Sequence, residues 1–108
     1  MEDAFLRKLR ELVEKHLEDS NLSVDEICRL LGMSHSVIHR KLTALTGRSL
    51  TLFVRTIRLQ KARTLLQDPS VSISEVAYAT GFNDPKFFSR VFAEEYGQSP
   101  SAFRQQFS

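Results

Sequence analysis

The chain has 108 residues, 42% hydrophobic and 26% charged, with a formal net charge of +2. That allows one modest domain, or two very small ones sharing contacts, and no stretch approaches the roughly twenty consecutive apolar residues of a membrane span. Cys28 is the single cysteine, so an internal disulfide and a four-cysteine zinc site are excluded, and the opening MEDAFLRKLREL is no secretory signal; a cytoplasmic setting is expected.

Nearly every segment reads as helix, and the expected fold class is all-α. Phe5, Leu9, Leu12, Val13, His16 and Leu17 recur at three- and four-residue steps, which predicts an amphipathic helix over 3–18. Asp19-Ser20-Asn21 breaks it. Ser23 and Glu26 then form a capping box, Val24, Ile27, Cys28 and Leu31 give a short helix its apolar side, and Gly32 ends it. Ser34 caps the next helix, with Ile38, Leu42 and Leu45 expected inward, before Gly47. Ser49 starts the longest helix, through about Gln67, with Phe53, Ile57, Leu59, Ala62, Leu65 and Leu66 available for packing, and Asp68-Pro69 terminates it.

The pattern then returns. Ser72 and Glu75 make a second capping box, Val76, Ala77 and Thr80 stand where Ile27, Cys28 and Leu31 stood, and Gly81 follows Gly32 by 49 residues. Past the turn the offset is 50: Phe88 matches Ile38, Arg90 matches Arg40, Phe92 matches Leu42, Gly97 matches Gly47, Ser99 matches Ser49 and Phe103 matches Phe53. Asn83-Asp84-Pro85 takes up the extra residue as a cap followed by proline in the first helical turn. Ser99-Pro100 opens a last short helix containing Phe103 and Phe107. Two copies of helix, glycine turn and helix are thus joined by a long helix, giving segments 1–48, 49–67 and 68–108.

The net charge hides its distribution. Glu2, Asp3, Glu11, Glu14, Glu18, Asp19, Asp25 and Glu26 crowd the first 26 residues. Residues 27–67 carry no acid at all but hold Arg29, Arg40, Lys41, Arg48, Arg55, Arg58, Lys61 and Arg63. Positive potential there would attract polyanions, although a solvated basic helix face gives the same count.

A helix, a glycine turn and a second helix form the helix-turn-helix arrangement, whose DNA-binding version lays the second helix in the major groove. That helix needs a polar outer face. The first copy offers Ser36, His39, Arg40 and Thr43 opposite its apolar residues; the second offers Lys86, Ser89, Arg90 and Ala93. None is acidic. Arg and Lys can donate two hydrogen bonds to guanine, and Ser, Thr and His read bases or phosphates. Ser34, Lys41 and Arg48 are candidate phosphate contacts, with a solvated face an equal alternative. A linker of about 18 helical residues spans roughly 27 Å, near the ~34 Å between successive grooves on one DNA face.

The two stretches GMSHSVIHRKLTALTGRSL and SEVAYATGFNDPKFFSRVFAEEYGQSPSAFR, with the linker TGRSLTLFVRTIRLQKARTLL, resemble the DNA-binding domain of the AraC/XylS family of bacterial transcription regulators across nearly the whole chain. The resemblance implies a seven-helix bipartite domain that binds double-stranded promoter DNA, usually activates transcription and contacts RNA polymerase. Carried over by position, Ser36, His39 and Arg40 read from the first helix, and Lys86, Ser89 and Arg90 from the second, with Pro85 at its start. Family members often carry a larger side chain at the position of Ser36, which weakens that contact here. The resemblance admits a small stand-alone regulator or an output domain of a longer one; EKHLEDSNLSVDEICRLLGMS further resembles output domains of response regulators and hybrid two-component sensors, so a sensing or receiver domain is expected in the full-length protein.

Other readings stand beside this one. A helix-turn-helix that contacts only protein partners would favour acids on the reading faces. An enzyme needs a nucleophile–base pair, a phosphate loop or a metal cluster, and none is evident, so neither catalysis nor a cofactor is expected. His35 and His39 have the spacing of a two-histidine metal site but lack an obvious third ligand. Cys28 fits core packing, His16 a half-buried site on the first helix, and Phe82, Phe87, Phe88, Phe92, Phe103 and Phe107 mostly core.

Overall fold

Local chemistry at the helix ends sets the architecture. In the computed structural model, which describes residues 3–107, the Asp3 side chain accepts a hydrogen bond from the Phe5 amide at 2.8 Å, and helix α1 runs Ala4–Lys15. Ser23 accepts from the Glu26 amide at 3.1 Å and starts α2 (Val24–Leu31). Ser34 does the same for Val37 at 3.3 Å and starts α3 (His35–Thr46). Helix α4 (Leu50–Leu65) opens with the Leu52 amide on Ser49 Oγ at 3.3 Å. Ser72, Asp84 and Ser99 cap α5 (Ile73–Ala79), α6 (Pro85–Tyr96) and α7 (Pro100–Gln105) in the same manner. Each cap satisfies an amide that a helix start would otherwise leave unpaired. Seven helices and no strand occur among the described residues. Helix α1 is shorter than the expected 3–18, because His16 already leaves helical geometry at φ −111°. Helix α4 likewise stops at Leu65, not Gln67.

The chain forms two compact units. The first comprises the chain through His16 together with Asn21–Ile57. Its core is aliphatic apart from one ring: Leu9 and Val13 of α1, Ile27 of α2, Ile38 and Leu42 of α3, and Leu50, Phe53 and Ile57 of α4. Cys28 is half-buried against this core, in keeping with a packing role. Leu45 departs from expectation: it is 47% exposed. The inward row runs from the buried Ile38 and Leu42 to the half-buried Thr46, whose hydroxyl donates to Leu42 O at 2.8 Å, so Leu45 falls outside it.

The second unit comprises Leu17–Ser20 and the chain from Arg58 on. Its core is aromatic. Phe88 and Phe92 are fully buried, with ring centroids 5.8 Å apart, and Phe92 meets Phe103 at 5.7 Å and Tyr96 at 4.8 Å. Leu59, Ala62 and Leu66 of α4, with Val76 and Ala77 of α5, complete it. The Arg63 guanidinium lies 4.8 Å from the Tyr96 ring centroid, a cation–π contact. Arg104 Nε donates to Leu66 O at 2.9 Å and so caps the end of α4. Phe107, expected with the core, is 53% exposed, although its ring meets Phe103 edge-on at 5.2 Å. Thr80 occupies the place of Leu31 in the repeat; fully buried, it donates its hydroxyl to Val76 O at 2.8 Å. No described helix is long and apolar enough to cross a membrane.

Candidate nucleic-acid interface

Helices α3 and α6 are both twelve residues long and both end on a glycine with φ near +74°, Gly47 at +73° and Gly97 at +75°. In α3 the Ile38 and Leu42 side chains are fully buried, which turns the opposite face outward. Ser36, His39, Arg40 and Thr43 all lie exposed on it. Ser34 Oγ holds the Val37 amide and lies 3.3 Å from Ser36 Oγ, so two hydroxyls gather at the N-terminus of the helix. Lys41 is exposed but sits toward α1, its ammonium 5.6 Å from the Phe5 ring centroid. Arg48 Nη1 donates to Thr56 Oγ1 at 2.7 Å, which fixes its guanidinium beside the first turns of α4. His35 and His39 rings stand 6.3 Å apart, and no group of three metal-ligating side chains occurs among the described residues.

In α6 burial of Phe88, Val91 and Phe92 sets the inner face. Lys86 and Arg90 are exposed, while Pro85, Ser89 and Ala93 are half-buried. Asp84 Oδ1 accepts the Lys86 amide at 3.0 Å and fixes the helix start. Phe87, expected to pack, is 37% exposed. The Arg90 guanidinium lies 5.2 Å from its ring centroid. This stacking leaves guanidinium edges open to hydrogen bonding and was not read from sequence; the three-residue spacing of an aromatic and an arginine on one helix was its only signal. Glu94 and Glu95 are exposed in the last turns, so the basic surface of α6 is confined to its first half. In helix-turn-helix proteins it is the N-terminal residues of the second helix that reach base edges.

Of the eight cations in the acid-free stretch, Arg58 does not add to any surface. It is 6% exposed, held inside the second unit by main-chain carbonyls.

Residues 27–106 match the protein family described as "Helix-turn-helix domain". The fold is similar to the C-terminal domain of AraT, a response regulator from Geobacillus stearothermophilus: TM-score 0.84, 27% identity, covering 96% of this chain and 86% of that one. The chain belongs to the AraC-type helix-turn-helix family. The AraC-type domain is also similar to the DNA-binding domain of AdpA, a global transcriptional factor solved in complex with a target DNA, with TM-score 0.83 and 27% identity over 94% of this chain and 91% of that one. Among curated proteins it is 33% identical over 103 residues to the HTH-type transcriptional activator RhaS of Enterobacter sp. (strain 638), covering 95% of this chain and 37% of RhaS. It is 29% identical over 108 residues to Histidine kinase P4 of Formosa agariphila, covering all of this chain and 8% of that protein. The AraC-type domain thus spans well under half the length of these relatives. The family is one of DNA-binding transcription regulators.

Proposed function

We propose that this AraC-type domain binds promoter DNA sequence-specifically, with α3 and α6 entering adjacent major grooves, and activates bacterial transcription. The observation that carries the proposal is the pairing of Arg40 and Arg90, both exposed, at matched positions on helices whose reading turns hold no acid. Ser36, His39, Arg40 and Thr43 read bases from α3; Pro85, Lys86, Ser89 and Arg90 read them from α6. Ser34, Lys41 and Arg48 meet phosphates. Among these, Arg40 and Arg90 supply the bidentate contacts that discriminate bases, and the phosphate contacts set register. Residues 1–48 and 68–108 serve as the two readers and 49–67 as their linker.

The similarity to a response-regulator C-terminal domain and to a segment of a histidine kinase supports an output role in a cytoplasmic two-component protein. A receiver or sensing domain then governs the readers, and RNA polymerase is the downstream partner. Footprinting on an enriched duplex tests the reading mode. Two protected stretches about one helical turn apart are expected. A single protected stretch would contradict it.

A further inference from the structure

Arg58 is the one buried charged side chain among the described residues. It occupies the i, i±4 row of α4 that also carries Val54 and Ala62. Burial lowers its pKa, and the nearby charge of Asp19 offsets only part of that effect. A buried guanidinium persists only when its donors are met, and here main-chain carbonyls meet them. Nη1 donates to Leu17 O and, at 2.9 Å, to Thr80 O; Nη2 donates to Asp19 O at 2.9 Å. Leu17 and Asp19 lie in the segment after α1 that packs with the second unit. Thr80 is the C-cap of α5, where the chain begins its turn toward α6.

The turn is shaped around this side chain. Gly81 has φ +87°, and a Cβ built on it would fall 1.4 Å from Arg58 Nη1 and 2.5 Å from Leu17 O. Its counterpart Gly32, at φ +66°, would place a Cβ within 4 Å of nothing. Both turns need glycine for the left-handed backbone. Only the second also needs it because a guanidinium lies against the backbone.

We infer that Arg58 is a positioning residue for the second reading helix: by tying the Thr80 carbonyl to Leu17 and Asp19 it fixes the turn from which α6 departs, and with it the placement of Lys86 and Arg90. The inference rests on base reading by α6 as proposed above. A lysine cannot replace it, since one ammonium nitrogen cannot span carbonyls that a planar fork reaches with two.

The experiment uses the 108-residue chain and a duplex enriched from a random pool. Wild type and Arg58→Lys are compared for preference at each half of the site and for amide chemical shifts. Arg58→Lys is expected to melt cooperatively at lower temperature and to shift the amides of Thr80–Asp84 and Lys86 while those of Ser34–Val37 stay in place. Preference should fall about tenfold at the half assigned to α6, as expected when charge-assisted bonds are lost, and stay near wild type at the other. Gly81→Ala, which crowds the guanidinium but leaves it charged, should reproduce the one-sided loss, and the two changes together should cost less than their sum because both break the same contact. A folded Arg58→Lys with unmoved amides and undiminished preference, equal loss at both halves, or strict additivity would overturn the inference. If wild type enriches no site, base reading fails on its own, and the amide shifts alone decide the role of Arg58.

Discussion

Gly32 and Gly81 hold matched places in the repeat, yet replacing each with alanine should cost different amounts. Both have positive φ, +66° and +87°, where an L side chain meets a penalty of about 1 kcal/mol. At Gly32 nothing else opposes the new Cβ. At Gly81 the Cβ overlaps Arg58 Nη1 and approaches Leu17 O, a backbone atom that cannot swing aside. The guanidinium must withdraw, losing at least one charge-assisted hydrogen bond worth about 1.5–3 kcal/mol. Gly81→Ala should therefore cost about 3 kcal/mol and Gly32→Ala about 1 kcal/mol. Urea unfolding reads the gap of about 2 kcal/mol as a midpoint roughly 1 M lower for Gly81→Ala, with a slope near 2 kcal/mol/M. Amide signals of Ile38 and Phe88 follow each unit separately. Equal midpoints for the two variants would show that the Arg58 guanidinium does not oppose a Cβ at position 81.

Arg40→Ala and Arg90→Ala should each weaken specific binding by about 1–3 kcal/mol and relax preference in one half of the site only, as read by anisotropy titration against single-base variants. Phe92→Ala removes a fully buried ring packed on Phe88, Tyr96 and Phe103 and should cost about 3–5 kcal/mol, whereas Leu45→Ser, at an exposed site, should stay within about 0.5 kcal/mol; thermal melts separate them. The Asp68 carboxyl is held below the ordinary carboxylate range first by the Ser70 hydroxyl at 2.7 Å, then by the Ser70 amide at 2.9 Å. A carboxylate whose folded pKa is lowered lends stability above its unfolded pKa and loses it as pH falls through the folded one. Asp68→Asn should accordingly flatten the acid limb of a melting-temperature profile below about pH 4.

Helix order and caps were legible because they are local. Ser23, Ser34, Ser49, Ser72, Asp84 and Ser99 each bond an amide two or three residues on, and the glycines close helices through their own φ. The reading faces were legible for the same reason: once Ile38, Leu42, Phe88 and Phe92 point inward, the 3.6-residue period puts Arg40 and Arg90 outside. What escaped depended on distant chain. Arg58 was counted with the surface cations, yet its partners lie 41, 39 and 22 residues away. Its place in an apolar row between Val54 and Ala62 was the available signal. Three-residue spacing turns Leu45 inward, whereas the inward row advances by four to the half-buried Thr46.

In the proposed mode, two helices of one chain read two stretches of DNA. Enrichment of randomised duplexes by the purified chain at near-physiological salt tests it most directly. Two short preferred blocks about one helical turn apart are expected, with affinity falling steeply as salt rises. Salt-sensitive binding with no preferred block would contradict that mode.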